Sequence, residues 1–491
     1  MKDEARIPVI VGVGQINDRT EDAASALDSF GLMQAALEAA DRDAGGGWVA
    51  QADALAVVDQ LSFPALTEIP ERLAAAFGAR PRICTKTRYP SGESPVLLLN
   101  EAADRIRAGE SEVAVVVGAE ALRTAARRAG ERRDAVRESA SRVAKVERSR
   151  VGLVAPTDIY PLYENALRAS LGQTLAEGQA ESAMIWSRFS EVAAGNPNAW
   201  LRAPVGAAEI ATPSADNRRI AFPYTKLMVA NQSVNQGAAF IVASLAKARA
   251  MGVAEDRLVY VGYGAGAREP SDVLRRESYT RSIALETSLR CALAFNGLDA
   301  GDLDFVELYS CFPCIPKLAS RAIGWPLDRP MSVVGGLTFG GGPVGNYMSH
   351  AVAAMTETLR VQGRRALLFG NGGFANTNHC LVLAREPIER EAPSFDVQAE
   401  ADAQRGPAPE LIASYTGPAT IETYTVFYAR DGAPRDGVVV ARTPEGARFL
   451  AHVAGDDAET IALLTSGERE PVGSAGRAVA GDGGLVVWRR A

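Results

Sequence analysis

Apolar positions in the first 120 residues fall into short unbroken runs, separated by stretches at helical spacing. Ile7–Gly14 is apolar throughout and ends in Gly-Val-Gly, as a buried parallel strand does. From Ser25 to Ala40, the residues Leu27, Phe30, Leu32, Met33, Ala36, Leu37 and Ala40 recur at three- and four-residue intervals, which predicts an amphipathic helix. A second apolar run covers Ala54–Asp59. A turn at Tyr89–Pro95 opens a helix reaching about Ala108, Gly109 ends it, and Glu112–Gly118 is a strand of valine and alanine. Strands alternating with helices predict a doubly wound α/β sheet.

The same order then returns. Arg257–Gly264 repeats the opening strand with its Gly-x-Gly end, and a helix follows over about Ser278–Asn296. Phe305–Leu308 is a strand, a glycine-rich turn at Gly340–Gly345 opens a helix from about Tyr347 to Val361, and Arg365–Gly370 is a strand. Gly12 to Asp59 and Gly262 to Tyr309 are both 47 positions apart; Gly92 to Gly118 is 26 and Gly345 to Gly370 is 25. Matched order and spacing point to an internal duplication.

Between the halves, Ala121–Ala250 opens with arginines and a lysine laced with acids: Arg123, Arg127, Arg128, Arg132, Arg133, Arg137, Arg142, Lys145, Arg148 and Arg150. Most of these read as an ion-paired helix face, with a phosphate-binding flank left open for one or two. Loop-like segments follow at Pro156–Pro161, Asn196–Trp200 and Phe222–Lys226, and Asn235-Gln-Gly-Ala-Ala239 opens an apolar helix. A polar break covers Glu386–Pro409. Beyond it the period becomes two, over Ala419–Tyr428, Gly437–Ala441, Gly446–His452 and Gly483–Trp488, which predicts a small β-barrel of about 85 residues. The expected units are 1–120 as the first half, 121–250 as the region completing it, 251–390 as the second half, 391–407 as a linker and 408–491 as the barrel.

Composition narrows the class. Of 491 residues, 47% are apolar and 23% charged, which excludes a wholly disordered or collagen-like chain. No run approaches the roughly 18 apolar residues of a membrane helix, and the charged start of Met1–Gln15 does not read as a signal peptide. A net charge of −7, from 59 acids against 52 bases, argues against nucleic acid as the main partner. Five cysteines fit a reducing cytoplasm. With one Cys-x-x-Cys, at Cys311 and Cys314, and three histidines in all, no metal site is expected.

Two duplicated βαβαβ halves with a long insertion resemble the thiolase superfamily. Ser91-Gly-Glu-Ser-Pro95 before a helix resembles the nucleophile turn, and Glu307-Leu-Tyr-Ser-Cys-Phe312 resembles the Asn-Glu-Ala-Phe or His-Asp-Cys-Phe turn. Gly341-Gly-Pro-Val-Gly345 resembles the Gly-His-Pro-x-Gly turn, and Gly370-Asn-Gly-Gly373 resembles the Cys-x-Gly turn. The resemblance is strongest to thiolase-like proteins related to sterol-carrier-protein thiolases, here with an extra C-terminal β domain. It implies a five-layered αβαβα fold over about residues 5–390, an OB-like barrel over 408–490, and action on acyl-CoA thioesters, with coenzyme A as the acyl carrier and no separate cofactor. Monomer and homodimer both stay open; thiolases generally pair through the first-half edge strand, here about Glu112–Gly118.

The departures decide the chemistry. Carried over position by position, the thiolase nucleophile falls on Tyr89, the activating histidine on Gly342 and the second cysteine on Gly370. A phenol is a poor acyl carrier near neutral pH, and glycine replaces neither partner, so Claisen condensation through an acyl-cysteine is not expected. What survives is an oxyanion site built from backbone at Gly92, Gly342, Gly345 and Gly372. Tyr309, Tyr347, His350 and His379 are the side chains that could move protons around it; His379 is read in the last turn of the core. The resemblance extends to thiolase-like aldolases that use tyrosines here with a partner β domain, so retro-aldol cleavage of a β-hydroxyacyl thioester is the favoured expectation. Acyl transfer through Cys311, Cys314, Ser91 or Ser94 is the first alternative, and a non-catalytic acyl-CoA-binding protein is the second. Thr416, Tyr424 and Arg430 are read as supports of the barrel. Tyr424, Phe427 and Tyr428 fall on both faces of one strand, which makes no stacking platform for nucleic acid.

Overall fold

The computed structural model describes residues 3–129 and 147–490. The chain opens with β1 (Pro8–Asn17), α1 (Ser29–Asp43), β2 (Ala54–Val58), β3 (Ile83–Lys86), α2 (Ser94–Ala108) and β4 (Val113–Ala121). The insertion supplies α3 (Pro156–Ser170), α4 (Leu175–Gly195), β5 (Arg219–Ala221) and β6 (Tyr224–Thr225), and β7 (Asn235–Ser244) completes the first half. The second half runs β8 (Val259–Arg268), α5 (Ile283–Asn296), β9 (Phe305–Leu308), α6 (Cys314–Ile323), α7 (Tyr347–Val361), β10 (Arg365–Gly372) and β11 (Thr377–Ala384).

The strands order as β3-β2-β4-β7-β1-β8-β11-β10-β9. Read outward from the β1–β8 seam, each half repeats one pattern. β4 and β10 are flanked by a parallel strand (β2, β9) on one side and an antiparallel one (β7, β11) on the other. The duplication predicted from spacing is therefore a duplication of topology. The seam is short, Val9 opposite Tyr260 and Ile10 opposite Val259. Helices α2 and α7 contact each other and strands of both halves, whereas α1 packs on the first-half strands and α5 on the second. This gives the five layers αβαβα.

Local signals account for the central helices. α2 starts with Pro95 in its first turn, where no N–H is needed, and stops at Gly109, whose φ of 76° suits glycine. α1 is capped by the Asp28 side chain accepting from Gly31 N, and buries Leu32, Met33, Ala36, Leu37 and Ala40 as one stripe.

Four expectations are corrected. Pro156–Pro161 is not a loop but the opening of α3, where Pro156 stands in the first turn and needs no N–H partner. Asn235–Ser244 is strand β7, not a helix: it lies between β4 and β1, and all ten residues are buried, so no face has to be polar. His379 sits within β11, not in a turn. Glu112–Gly118 lies inside the sheet between β2 and β7, and the open edge of the first half is β3.

Beyond helix Gln398–Gln404, five strands close a barrel: β12 (Gly417–Tyr428), β13 (Pro434–Arg442), β14 (Arg448–Ala454), β15 (Ala475–Ala480) and β16 (Val486–Arg490). Their order is β12-β13-β14-β16-β15, returning to β12, with helix Ala458–Thr465 between β14 and β15. This is an OB-like arrangement. Ile421, Tyr424, Phe449 and Trp488 fill its interior, while Phe427, Val438, Val440 and Leu450 join the core of the larger domain. β5 pairs with β12 at Ala221 and Phe427, so the insertion extends the barrel sheet. Tyr424 is buried inside the barrel and Phe427 against the larger domain. The basic stretch behaves as an ion-paired face where described: Arg123 and Arg127 pair with Glu21, and Arg150 with Glu147. Arg132, Arg133, Arg137, Arg142 and Lys145 lie outside the described residues.

Candidate functional site

The two glycine turns meet. A Cβ at Gly345 would fall 2.7 Å from both Pro90 Cβ and Ser91 N, and one at Gly370 would fall 2.7 Å from Glu93 Cα. At Gly92 it would strike Asn371 O and the Tyr309 phenol, and at Gly372 it would strike Ser91 Oγ and Glu93 Oε2. Glycine is needed at these four positions for close approach. Between them lies a cavity of about 380 Å³, lined by Ser91, Gly92, Tyr160, Tyr309, Cys311, Gly342, Gly345, Asn371 and Gly372 among others, within the size range of small-ligand sites. Val344 also lines it and holds φ at 45°, a strained conformation for a β-branched residue. Larger hollows of about 720 and 730 Å³ lie elsewhere and contain none of these glycines.

Of the four side chains expected to move protons, one reaches the cavity. Tyr309 lines it, its ring resting against Gly92, with burial and then the neighbouring Cys311 and Glu93 holding its hydroxyl well above the usual phenol range. Near neutral pH it is a phenol, not a phenolate. Tyr347 stands behind it, edge-to-face at 5.8 Å between ring centres. The Tyr347 hydroxyl donates to Glu307 Oε1 at 2.7 Å. Glu307 also accepts from Ser332 Oγ and from the N–H groups of Val333 and Val334, and burial pushes its carboxyl up to about 7.

His350 and His379 lie outside the cavity lining. His350 is on α7 facing β1, its Nδ1 3.0 Å from Gln15 Oε1; His379 is on β11 facing α2, its Nε2 3.2 Å from Asn100 Oδ1. Burial lowers both imidazoles to about 3, so both are neutral packing groups near neutral pH. Tyr89, at the ancestral nucleophile position, is 58% exposed and is not among the lining residues.

Burial acts on the sulfur groups too. Cys311 lines the cavity, but burial pushes its thiol up to about 12, and burial and then Glu164 hold the Cys314 thiol well above its ordinary value. Burial favours the thiol over the thiolate at both, and the thiolate is the nucleophile. All five cysteines are free, and no cluster of histidine, cysteine or acid among the described residues could hold a metal ion.

Three participants escaped the sequence reading. Tyr160, reaching in from α3, donates to Gly373 O and accepts from Ala375 N and Asn371 Nδ2, pinning the Gly370–Gly373 turn. Glu93 accepts from Ser91 Oγ at 2.5 Å. Glu93 and Asn371 had a local signal, adjacency to the glycine turns; Tyr160 had none, because its partners lie more than 200 positions away.

A duplicated five-layered fold whose glycine turns converge on one cavity defines the thiolase superfamily architecture. The family model for the thiolase-like protein type 1 additional C-terminal domain matches residues 396–483. The SCP2-thiolase-like protein type 1 from Mycobacterium smegmatis is similar at 33% identity, with both chains covered over 100% of their length and a TM-score of 0.85. The chain belongs to the SCP2-thiolase-like protein type 1 family. The fold is shared at 18% identity with the Ltp2-ChsH2(DUF35) aldolase (78% of this chain, 99% of that one, TM-score 0.59). It is also shared at 14% identity with the dimeric peroxisomal thiolase of Saccharomyces cerevisiae (79% and 99%, TM-score 0.58). Comparison with curated protein sequences gives no significant match. Among the described residues, no helix is long and apolar enough to cross a membrane.

Proposed function

We propose that the chain binds acyl-CoA thioesters in the cavity between the two glycine turns and cleaves or forms a carbon–carbon bond of retro-aldol type, without an acyl-enzyme. The observation that carries this reading is Tyr309, a buried and protonated phenol at the cavity wall against Gly92. In a β-hydroxyacyl thioester, the hydroxyl loses its proton and the Cα–Cβ bond breaks. The electron pair becomes a thioester enolate, and an aldehyde or ketone leaves. A phenol that keeps its proton suits donation to the enolate oxygen.

Support comes from what the site lacks room for. A Cβ at Gly370 would collide with the backbone at Glu93, so the turn has closed over the space a second cysteine would take, and Cys311 stays a thiol. A structural neighbour bears the name aldolase. The reaction needs no cofactor beyond the coenzyme A that carries the acyl group. We extend to this chain the monomeric state stated for the Mycobacterium smegmatis relative.

Tyr309→Phe tests the reading. Release of carbonyl product from a series of β-hydroxyacyl-CoA esters is expected to fall about 100- to 1,000-fold, with acyl-CoA affinity by calorimetry changed little. Wild-type turnover in the variant, or a covalent acyl adduct in the intact mass, overturns it.

A further inference from the structure

Glu93 occupies the residue before α2, where a carboxylate ordinarily accepts from N–H groups of the first turn. Its side chain makes no such bond. It turns back instead and accepts from Ser91 Oγ at 2.5 Å, and Ser91 lines the cavity. Gly372 supplies the room, since Ser91 Oγ and Glu93 Oε2 occupy the volume a Cβ there would need. The other neighbour of Ser91 Oγ is Thr377 Oγ1, at 3.5 Å. Tyr309 packs on Gly92, the residue between Ser91 and Glu93. An acceptor pair and a donor therefore flank a single glycine at one cavity wall.

We propose that Ser91 and Glu93 form the proton-transferring pair of the cavity, with Ser91 as the catalytic residue that meets the substrate and Glu93 as the carboxylate that takes the proton through it. This rests on the retro-aldol reading above. Ser91 Oγ accepts the β-hydroxyl proton while passing its own to Glu93. The Cα–Cβ bond breaks, its electrons form the thioester enolate, and the carbonyl product leaves. Glu93 then returns the proton through Ser91 to Cα, giving the shortened acyl thioester. Every proton and electron pair is accounted for, with no oxidant, reductant or further reactant. Run backwards, the same pair removes a Cα proton from a short acyl-CoA.

That reverse half-step is the test. The full chain is incubated with acetyl-CoA in D2O, and deuterium entering the methyl group is followed by NMR. Wild type exchanges; Ser91→Ala and Glu93→Gln lose about 100-fold or more, and Glu93→Asp regains about tenfold over Glu93→Gln. Acetyl-CoA affinity stays within about threefold throughout. Because glutamine keeps the size and hydrogen-bonding capacity of Glu93, a merely structural role would leave exchange intact in Glu93→Gln. Exchange at the wild-type rate in both variants overturns the pair, as does absence of exchange in wild type. An acetyl adduct on Ser91 overturns it too, by making that oxygen a nucleophile. Failure of the retro-aldol reading looks different: exchange and its loss in the variants persist, while no β-hydroxyacyl-CoA releases a carbonyl product.

Discussion

Glu307→Gln isolates the cost of placing a carboxyl behind the cavity. Glu307 is fully buried, and burial raises its carboxyl from 4.5 to about 7 against four hydrogen bonds that favour the charged form. Between those two values the folded chain holds a proton that the unfolded chain has released. Stability from this group is therefore complete below pH about 4.5 and is lost as pH rises through about 7. At 1.36 kcal/mol per pH unit, the interval is worth ~3 kcal/mol. Glutamine removes the titration while leaving an acceptor for Ser332 and the Val333 and Val334 amides, and a donor for Tyr347.

The informative quantity is the difference between variant and wild type, because other titrating groups cancel in it. Glu120, which burial likewise pushes up to about 7, is present in both proteins. Urea unfolding at half-unit steps from pH 4.5 to 8.5 should show the variant gaining ~3 kcal/mol on wild type across the range, with most of the change between pH 5 and 7. A difference that stays flat within about 0.5 kcal/mol refutes the argument: Glu307 would then be charged in the fold at all these pH values.

His350→Gln should act in the opposite sense. Its imidazole is lowered to about 3, so it adds stability above pH about 6.5 that is lost as pH falls toward 3; acid unfolding of the variant should begin at lower pH than in wild type. Gly370→Cys puts a Cβ 2.7 Å from Glu93 Cα and should cost about 1–3 kcal/mol in chemical denaturation without conferring thiolase activity on acetoacetyl-CoA. Lys317→Met should cost about 3–5 kcal/mol by the same measurement, because Lys317 Nζ lies 2.6 Å from Glu164 Oε1 with both side chains buried. Adding Glu164→Gln to it should recover part of that loss.

Much of the fold was legible because the duplication repeats its punctuation. The glycines before α2 and α7, Gly92 and Gly345, and the apolar runs of β4 and β10 recur at matched intervals, and local sequence sets each of them. β7 was misread because an unbroken apolar run buried on both faces carries no period. His379 was misplaced for the reverse reason: Asn376, Thr377 and Asn378 look like a turn, while the sheet makes most of them part of β11. Gly92, Gly342, Gly345 and Gly372 stand in or beside the turns that carry the resemblance, and all four line the cavity. The histidines were misassigned because a buried imidazole bound to Gln15 or Asn100 has the same local sequence as one in a cavity. Glu93 reads in sequence as an ordinary helix-start acid; its turn toward Ser91 depends on Gly372, which only the meeting of the two halves brings beside it.

The barrel bears on this site without lining it. On β12, Glu422 holds both Arg442 of β13 and Arg448 of β14. Arg448, wholly buried, donates to Leu274 O at 2.7 Å and Arg276 O at 2.6 Å. Arg276 in turn lies over the Tyr163 ring and donates to Phe374 O and Ala375 O. Those carbonyls belong to the loop directly after Gly372 and Gly373, the same loop that Tyr160 grips from α3. Two buried guanidiniums thus connect a barrel carboxylate to the turn on which Ser91 and Glu93 rest. Guanidiniums this deep are stable only while their acceptors stay in place. The glycine turn, whose one side chain, Asn371, is tied to Tyr160, is therefore also held from behind by the C-terminal domain, and shifting the barrel would move the floor of the cavity with it.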